Sequence, residues 1–440
     1  MFKKIRLIIL LSLLICSAIA TQVQADSSTI YVLRVEGTIN PILVDYIERG
    51  IDQAEENNAT ACIIQLDTPG GLDTAMRDIV KEIVNAQVPV VVYVSPSGAR
   101  AASAGVFITI AAHVASMAPN TSIGAAHPVS IGAEGEQQVS ETMEEKVVND
   151  AAAYIRSIAE AHGRNMEWAE KAVRESVSAT EQEALELNVI DMVAPNLDAL
   201  ISQLDGREVN LLDGRVVTLK THGATIRNVD MSTIEDFLYT IADPNIAYIL
   251  LSLAMLGIFV EITNPGLIFP GVVGAICLLM AFYALGMLPV NYAGVLLIVL
   301  AFGLFVAEVF TTTFGLFTAG GVTALVIGSL ILFKGGSTLF QVSPWLIAGV
   351  TIFIGGLFAF VVNRVIHAHR KQASTGREEL IGKKAIVKVA LQPEGTVFLK
   401  GERWIAVSKE GPVKPGEEVI ITGVDGLTLQ VTKQTTKDAN

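Results

Sequence analysis

Cysteine is scarce in this chain, with three in 440 residues. They stand at Cys16, Cys62 and Cys277, and no pair has CxxC spacing. That excludes a dithiol redox centre and a thiolate-rich metal site, and no metal or cofactor is expected. Positive charge is also in deficit. A net charge of −13 excludes a basic surface for nucleic acid. No Walker-type phosphate loop occurs, so the chain carries no nucleotide-driven motor of its own. Histidines are few as well. Those ahead of the apolar half are His113, His127, His162 and His222, which leaves few candidates for a histidine base.

Apolar residues are abundant. They make up 51% of the chain, with a mean hydropathy of +0.51. The excess lies between Ile246 and Asn363, and residues 244–363 read as an α-helical multi-span membrane domain. Five stretches qualify: Ile246–Ile262, Leu267–Met287, Tyr292–Phe310, Phe314–Phe333 and Trp345–Val362. They contain a repeat. Gly257–Glu261 followed by Asn264–Gly271 is echoed by Gly303–Glu308 followed by Phe314–Gly321. The pattern is one helical hairpin used twice, in one orientation. Glu261 and Glu308 then share a membrane face, either as interfacial residues near helix ends or, on a sharper reading, as a proton relay.

The chain opens with Lys3, Lys4 and Arg6, an apolar run Leu7–Ile15, and small residues up to Ala25. Residues 1–25 have the layout of a secretory signal peptide, cut after Ala20 or Ala25; the alternative is an uncleaved signal anchor. Either way the segment that follows is expected outside the cytoplasm. Arg364, His367, His369, Arg370 and Lys371 follow the last apolar stretch, which places that end in the cytoplasm. Five spans connect those two positions; four or six would not.

Residues 26–230 alternate strand and helix. Strands at Thr29–Glu36, Ala61–Leu66 and Val88–Val94 are separated by helical periodicity at Pro41–Asn57 and Asp73–Asn85. This order predicts a parallel α/β sheet with crossover helices. Two strand ends are rich in tiny residues. One is Asp67-Thr-Pro-Gly-Gly71; the other is Ser97-Gly-Ala-Arg-Ala-Ala-Ser103-Ala-Gly105. A serine among small residues, near a Gly-Gly turn, can present its hydroxyl beside free backbone N–H groups. That is the layout of a nucleophile with an oxyanion hole. A serine needs a base. Lys146 sits in the first turns of a helix predicted over Glu141–His162. Partial burial there would favour its neutral form, although helix position alone reads as a solvated lysine.

Residues 378–434 carry five short strands, at Lys384–Leu391, Thr396–Lys400, Glu402–Val407, Glu418–Val424 and Thr428–Thr432. Five strands in so short a stretch suit a small all-β barrel of OB type. Basic and aromatic residues do not alternate here, so Phe398 and Trp404 read as barrel core rather than base-stacking platforms. The reading is a protein-interaction module that does not bind nucleic acid.

Asp67-Thr-Pro-Gly-Gly71, Ser97–Gly105, Ala118-Pro-Asn-Thr-Ser-Ile-Gly-Ala125, His162-Gly-Arg-Asn165 and Ala184-Leu-Glu-Leu-Asn-Val-Ile-Asp191 together resemble the NfeD family of membrane-bound serine proteases. That family falls in the Clp-protease and signal-peptide-peptidase class. The resemblance covers nearly the whole chain. It implies a Clp-protease/crotonase-like α/β domain, membrane hairpins and a C-terminal OB-type domain. It implies a Ser–Lys dyad, with Ser103 matching the nucleophile and Lys146 the base. The N–H groups of Gly71 and Ala104 would form the oxyanion hole. It also implies an apolar peptide substrate, a stomatin- or flotillin-like membrane partner and a homo-oligomer. His127 stands near where Clp proteases carry a catalytic histidine, so a Ser–His–Asp triad is the alternative. A non-catalytic scaffold for the same partner is the rival function, and a transporter built on the hairpins is a third.

Overall fold

The computed structural model describes residues 28–128, 141–311, 315–333, 340–370 and 377–433. The signal segment read at 1–25 lies outside the described residues. In chain order the first domain runs β1 (Thr29–Glu36), α1 (Pro41–Glu56), β2 (Ala61–Asp67), α2 (Asp73–Asn85), β3 (Val90–Val94), β4 (Arg100–Ala102), α3 (Ala104–Ala111), β5 (Val114–Met117) and β6 (Ser122–Gly124). It continues with α4 (Glu141–Ala161), α5 (Met166–Arg174), β7 (Ser178–Thr180), α6 (Glu181–Glu186), β8 (Met192–Val193), α7 (Leu197–Leu204), β9 (Glu208–Asn210), β10 (Val216–Thr218), β11 (Thr225–Val229) and α8 (Thr233–Ile241).

Six strands form the main sheet in the order β11-β1-β2-β3-β5-β8, and every pairing is parallel. The physical cause is visible in the strands. All five residues of β3 are buried, and a strand covered on both faces loses the polar alternation of a half-exposed one. Helices α1 and α2 bury stripes such as Ile42, Tyr46 and Ile47, and Met76, Ile79 and Ile83. Asn40 caps α1, accepting from Leu43 N–H at 3.1 Å. Thr180 and Glu183 form a capping box at the start of α6. Strands β9 and β10 pair as an antiparallel hairpin around Asp213-Gly214. A second, three-stranded sheet, β4-β6-β7, is bridged to the end of β2 through Thr68 and Ala101 and leads into Ser103.

Five apolar helices follow: α9 (Pro244–Thr263), α10 (Phe269–Met287), α11 (Tyr292–Phe310), α12 (Leu316–Ile331) and α13 (Pro344–Arg370). Four are long and apolar enough to cross a membrane. The exception is α12. Its 16 residues rise about 24 Å at 1.5 Å each, short of a hydrocarbon core of about 30 Å. The expectation of five full-length spans is corrected to four and a shorter fifth. The short helix nevertheless runs antiparallel along most of α11. Gly294 near one end of α11 packs on Gly328 and Leu332, and Phe305 near the other packs on Gly321. Asn291 N–H donates to Leu332 O at 2.8 Å where the two ends meet.

The hairpin repeat has a physical counterpart. Glu261 Oε1 accepts from Gly266 N–H at 3.4 Å, and Glu308 Oε1 accepts from Gly315 N–H at 2.8 Å. In each copy a carboxylate at the end of the first helix ties down a glycine of the loop that follows. This is a structural role for both acids near helix ends.

The chain ends in a closed barrel of β12 (Lys384–Val389), β13 (Glu394–Leu399), β14 (Glu402–Ser408), β15 (Glu418–Asp425) and β16 (Thr428–Lys433), ordered β12-β13-β14-β16-β15. Its core includes Val387, Val397, Leu399, Ala406, Ile421 and Leu429, with Trp404 packed against it. Phe398 is a correction. It points outward, 38% exposed, because Val397 and Leu399 on either side face in. Lys388 Nζ covers its ring, 5.6 Å from the centroid.

Candidate active site

Ser103 is the N-cap of α3, with φ 53° and ψ −112°. A positive φ on a non-glycine residue is a strained conformation that packing must hold. The restraints come from both flanks. Ala102 N–H donates to Thr68 O at 3.1 Å, and Ser103 N–H donates to Gly124 O at 3.2 Å. All eight residues of α3 are buried. The helix is apolar all round and cannot shift without breaking the core. The Ser103 side chain does not cap α3, which leaves its hydroxyl free for another task.

The Gly-Gly turn lies against it. Thr68 Oγ1 accepts from Gly70 N–H at 3.0 Å. Ile39 N–H donates to Gly70 O, and Leu72 N–H donates to Ile39 O, each at 2.9 Å. These bonds bracket Gly71 and leave its own N–H without an acceptor among the described residues. Ala104 N–H begins a helix and has no intrahelical acceptor either. Gly70 sits at φ +120°, and a Cβ there would stand 2.7 Å from Ser103 Cβ. The turn requires glycine for both conformation and space.

The far end of α3 is held by charge. Arg164, 6% exposed, donates to Ile110 O at 2.5 Å, to Ala112 O at 2.8 Å and to Asp191 Oδ2 at 2.7 Å. Asp191 also accepts from Ala115 N–H at 2.7 Å and from Arg207 at 3.1 Å. A helix leaves its last carbonyls without partners, and this guanidinium supplies them. Burial pulls the Arg164 pKa down, against the pull of Asp191. His113 and His162 lie edge to face beside it, 6.1 Å between centroids. Burial, then the charges of His162 and Arg164, pushes His113 down to about 4; burial, then the charge of Arg164, lowers His162. Sequence reading found the Gly-Arg-Asn and Ile-Asp segments as family marks but not this role.

Helix α4 carries Lys146, and the structure leaves it exposed. The partial burial foreseen for it is corrected: the first turns of α4 stand away from the domain body. No contact joins Lys146 to Ser103 among the described residues. Lys146 does share a helix face with Asp150 and Tyr154, one and two turns on. That face meets the nucleophile helix. Tyr154 stacks on Phe107 at 6.0 Å, and Phe107 is one turn from Ser103. Arg77 of α2 reaches Asp150 at 2.5 Å and lies 4.6 Å over the Tyr154 ring. Arg174 holds the neighbouring Asn149 at 2.8 Å. This double clasp on α4 had no sequence signal. His127 is placed differently. Its Nδ1 donates to Val173 O at 2.8 Å, tying the ring to the end of α5, and it makes no bond to Ser103.

A parallel α/β core, a strained serine at a helix start and two unclaimed N–H groups beside it define a Clp-class serine protease domain, here joined to a membrane bundle. Residues 29–227 match the domain described as NfeD1b, N-terminal; 245–364 match the NfeD integral membrane domain; 377–433 match the NfeD-like C-terminal, partner-binding domain. The chain is 39% identical over 434 residues to the membrane-bound protease PH1510 of Pyrococcus horikoshii, covering 97% of this chain and 98% of that one. Two solved structures of a membrane-bound stomatin-specific protease, 1510-N, are each 37% identical. One is a serine-to-alanine variant, covering 47% of this chain and 99% of that one with a TM-score of 0.44. The other is a lysine-to-alanine variant in complex with a substrate peptide, covering 49% and 98% with a TM-score of 0.45. The chain belongs to the NfeD family.

Three outcomes follow from this geometry. Gly70→Ala is expected to lower peptide cleavage about 10²–10³-fold, the cost of misplacing one oxyanion donor, with little change in substrate KM. Arg164→Met strands Asp191 and the end of α3, and denaturant unfolding is expected to show a loss of about 3 kcal/mol. The histidine pair predicts an acid-side weakening. Their pKa values are lower folded than unfolded, so the unfolded chain binds more protons in this range. Stability should be full above about 6.5 and fall as pH drops towards about 4. Melting curves of wild type against His113→Gln would measure it, with the variant less pH-sensitive.

Proposed function

We propose that this protein is an ATP-independent endopeptidase whose Ser103 and Lys146 form the catalytic dyad. The observation that carries the proposal is the strained Ser103 beside the unclaimed N–H groups of Gly71 and Ala104. In the proposed reaction, Lys146 in its neutral form takes the proton from Ser103 Oγ as that oxygen attacks the scissile carbonyl carbon. The carbonyl oxygen becomes an oxyanion and accepts from Gly71 and Ala104. The tetrahedral adduct collapses, the C–N bond breaks, and the Lys146 ammonium passes its proton to the leaving amine. Water, deprotonated by the same lysine, then hydrolyses the acyl ester.

Lys146 is preferred to His127 on geometry. The stack of Phe107 on Tyr154 and the Arg77–Asp150 bond hold the lysine-bearing face of α4 towards the nucleophile helix. A triad histidine has its Nδ1–H held by a carboxylate. The His127 Nδ1–H is held by a backbone carbonyl. The serine-to-alanine and lysine-to-alanine variants of the 1510-N structures point to the same pair of residue types.

The substrate proposed is an apolar segment of a stomatin- or flotillin-like membrane protein, which the relative's designation supports. The barrel is the proposed contact for that partner, in keeping with its domain family, and the protease domain is proposed to act as a homo-oligomer. The protease domain is proposed to lie outside the cytoplasm and the barrel inside. That arrangement requires α12 to cross, and its alignment along most of the membrane-length α11 supports the crossing.

Purified protein should cleave an apolar peptide from such a partner without ATP. Ser103→Ala and Lys146→Ala are each expected to lower kcat by about 10³-fold or more, while His127→Ala stays within a few-fold of wild type. Loss in His127→Ala with activity kept in Lys146→Ala would transfer the base to His127. Binding of the partner with cleavage by none of the proteins would favour a scaffold.

A further inference from the structure

Helix α8 is short, amphipathic and wrongly placed for an ordinary surface helix. Its first turn is closed by a capping box between Ser232 and Glu235. One face is fastened to the protease domain. Glu235 takes two bonds from Arg49 of α1, at 2.9 and 2.7 Å, and Tyr239 Oη donates to Glu36 O at 3.0 Å. Ile241 is buried. The opposite face carries Ile234, 71% exposed, Phe237, 48% exposed, and the half-buried Leu238. Positions one turn apart make a continuous apolar stripe. Thr233, Asp236 and Thr240 flank it and are exposed.

The location says what covers the stripe. Asp243 caps α9, so the first membrane span begins at Pro244, directly after α8 ends. Helix α8 packs against α9 and also against α10. Helices α9 and α10 form a hairpin, so the start of one and the end of the other mark the same membrane face. Helix α8 is pinned at that face. We propose that the Ile234–Phe237–Leu238 stripe is seated in the bilayer interface, making α8 an in-plane membrane-docking helix of the protease domain. The occupant is lipid. The stripe itself is uncharged and Asp236 flanks it, so the apolar region of a zwitterionic bilayer suffices. The inference rests on the membrane assignment of α9 and α10, not on the catalytic dyad.

The docking helix is two links from the oxyanion turn. Tyr239 holds the carbonyl of Glu36, and Gly37 N–H in turn donates to Asp67 O at 2.9 Å. Ile39, two residues on, is the bridge partner of Gly71. Seating α8 in the interface would therefore set the height of the Gly70–Gly71 turn above the lipid.

The test uses the full chain in phosphatidylcholine nanodiscs. Cys16, Cys62 and Cys277 are replaced by alanine, and single cysteines are placed at 234, 236, 237 and 240 for nitroxide labelling. Collision with oxygen and with a water-soluble nickel chelate is then compared. Labels at 234 and 237 are expected to favour oxygen several-fold more than labels at 236 and 240. Equal nickel access at all four positions would overturn the proposal. Labels at 234 and 237 shielded from both reagents, with spin–spin broadening, would also overturn it, because a second copy would then cover the stripe. Phe237→Trp gives a second arm: fluorescence quenching by brominated lipid beyond that of wild type is expected, and no added quenching would count against the proposal. Neither arm needs catalysis, so failure of the dyad would not be mistaken for failure of the docking.

Discussion

A backbone N–H with no acceptor costs a folded chain stability, and this fold holds two of them beside one serine. The rest of the protease domain can be understood as what makes that arrangement tolerable. Neighbouring backbone groups are committed elsewhere. Ile39 and Leu72 bracket Gly71, Thr68 closes on Gly70, and Gly124 receives Ser103. The unused donors are left over because their neighbours are tied down, not because the segment is loose. The positive φ of Ser103 belongs to the same constraint. A relaxed N-cap serine would turn its hydroxyl oxygen onto the N–H groups of the first helical turn, and the hydroxyl would no longer be free.

The strain at the start of α3 is balanced at its end. Arg164 neutralises the helix's last carbonyls and is itself neutralised by Asp191. A guanidinium so buried would be costly alone; with three hydrogen bonds, one of them the ion pair to Asp191, it locks α3 in place. The neutral state of His113 and His162 is part of this balance, since a further positive charge beside Arg164 would compete for Asp191. Helix α4 is then referenced to α3 through the Phe107–Tyr154 stack and to α2 through Arg77. The lysine and the serine are thus carried by elements with shared packing, even where the lysine itself meets solvent.

Much of this was legible in the residues. Buried parallel strands read as apolar runs, and Gly70–Gly71 and Ser103 are legible because a serine among tiny residues near a Gly-Gly turn can sit beside free backbone N–H groups. Three-residue strands such as β4, β6 and β7 are too short for any periodicity, so the platform of the nucleophile was not visible. Arg164 was noticed only as part of a motif, since its partners at Ile110 and Asp191 are distant in sequence. Phe398 was misjudged because an aromatic in a small barrel suggests core. The alternation of Val397 and Leu399 decides its face, and that parity could have been read. Helix α8 was passed over although Ser232 and Glu235 have the spacing of a capping box. Its nine residues sit between a strand and a long apolar run that drew the eye.

The membrane bundle bears on the protease through this overlooked helix. The apolar segment proposed as substrate poses a supply problem, because such segments reside in lipid or in protein cores. A cleft free to tumble above a bilayer would meet them rarely. Here Arg49 and Tyr239 fasten α8 to α1 and to the turn after β1, and the first span leaves from its end. The sheet, the oxyanion turn and the start of the bundle are therefore one mechanical piece. The glycine loops anchored by Glu261 and Glu308 stiffen the hairpins in the same way. On the proposed seating of α8, its bonds to α1 and to the end of β1 would set where the cleft stands relative to the lipid.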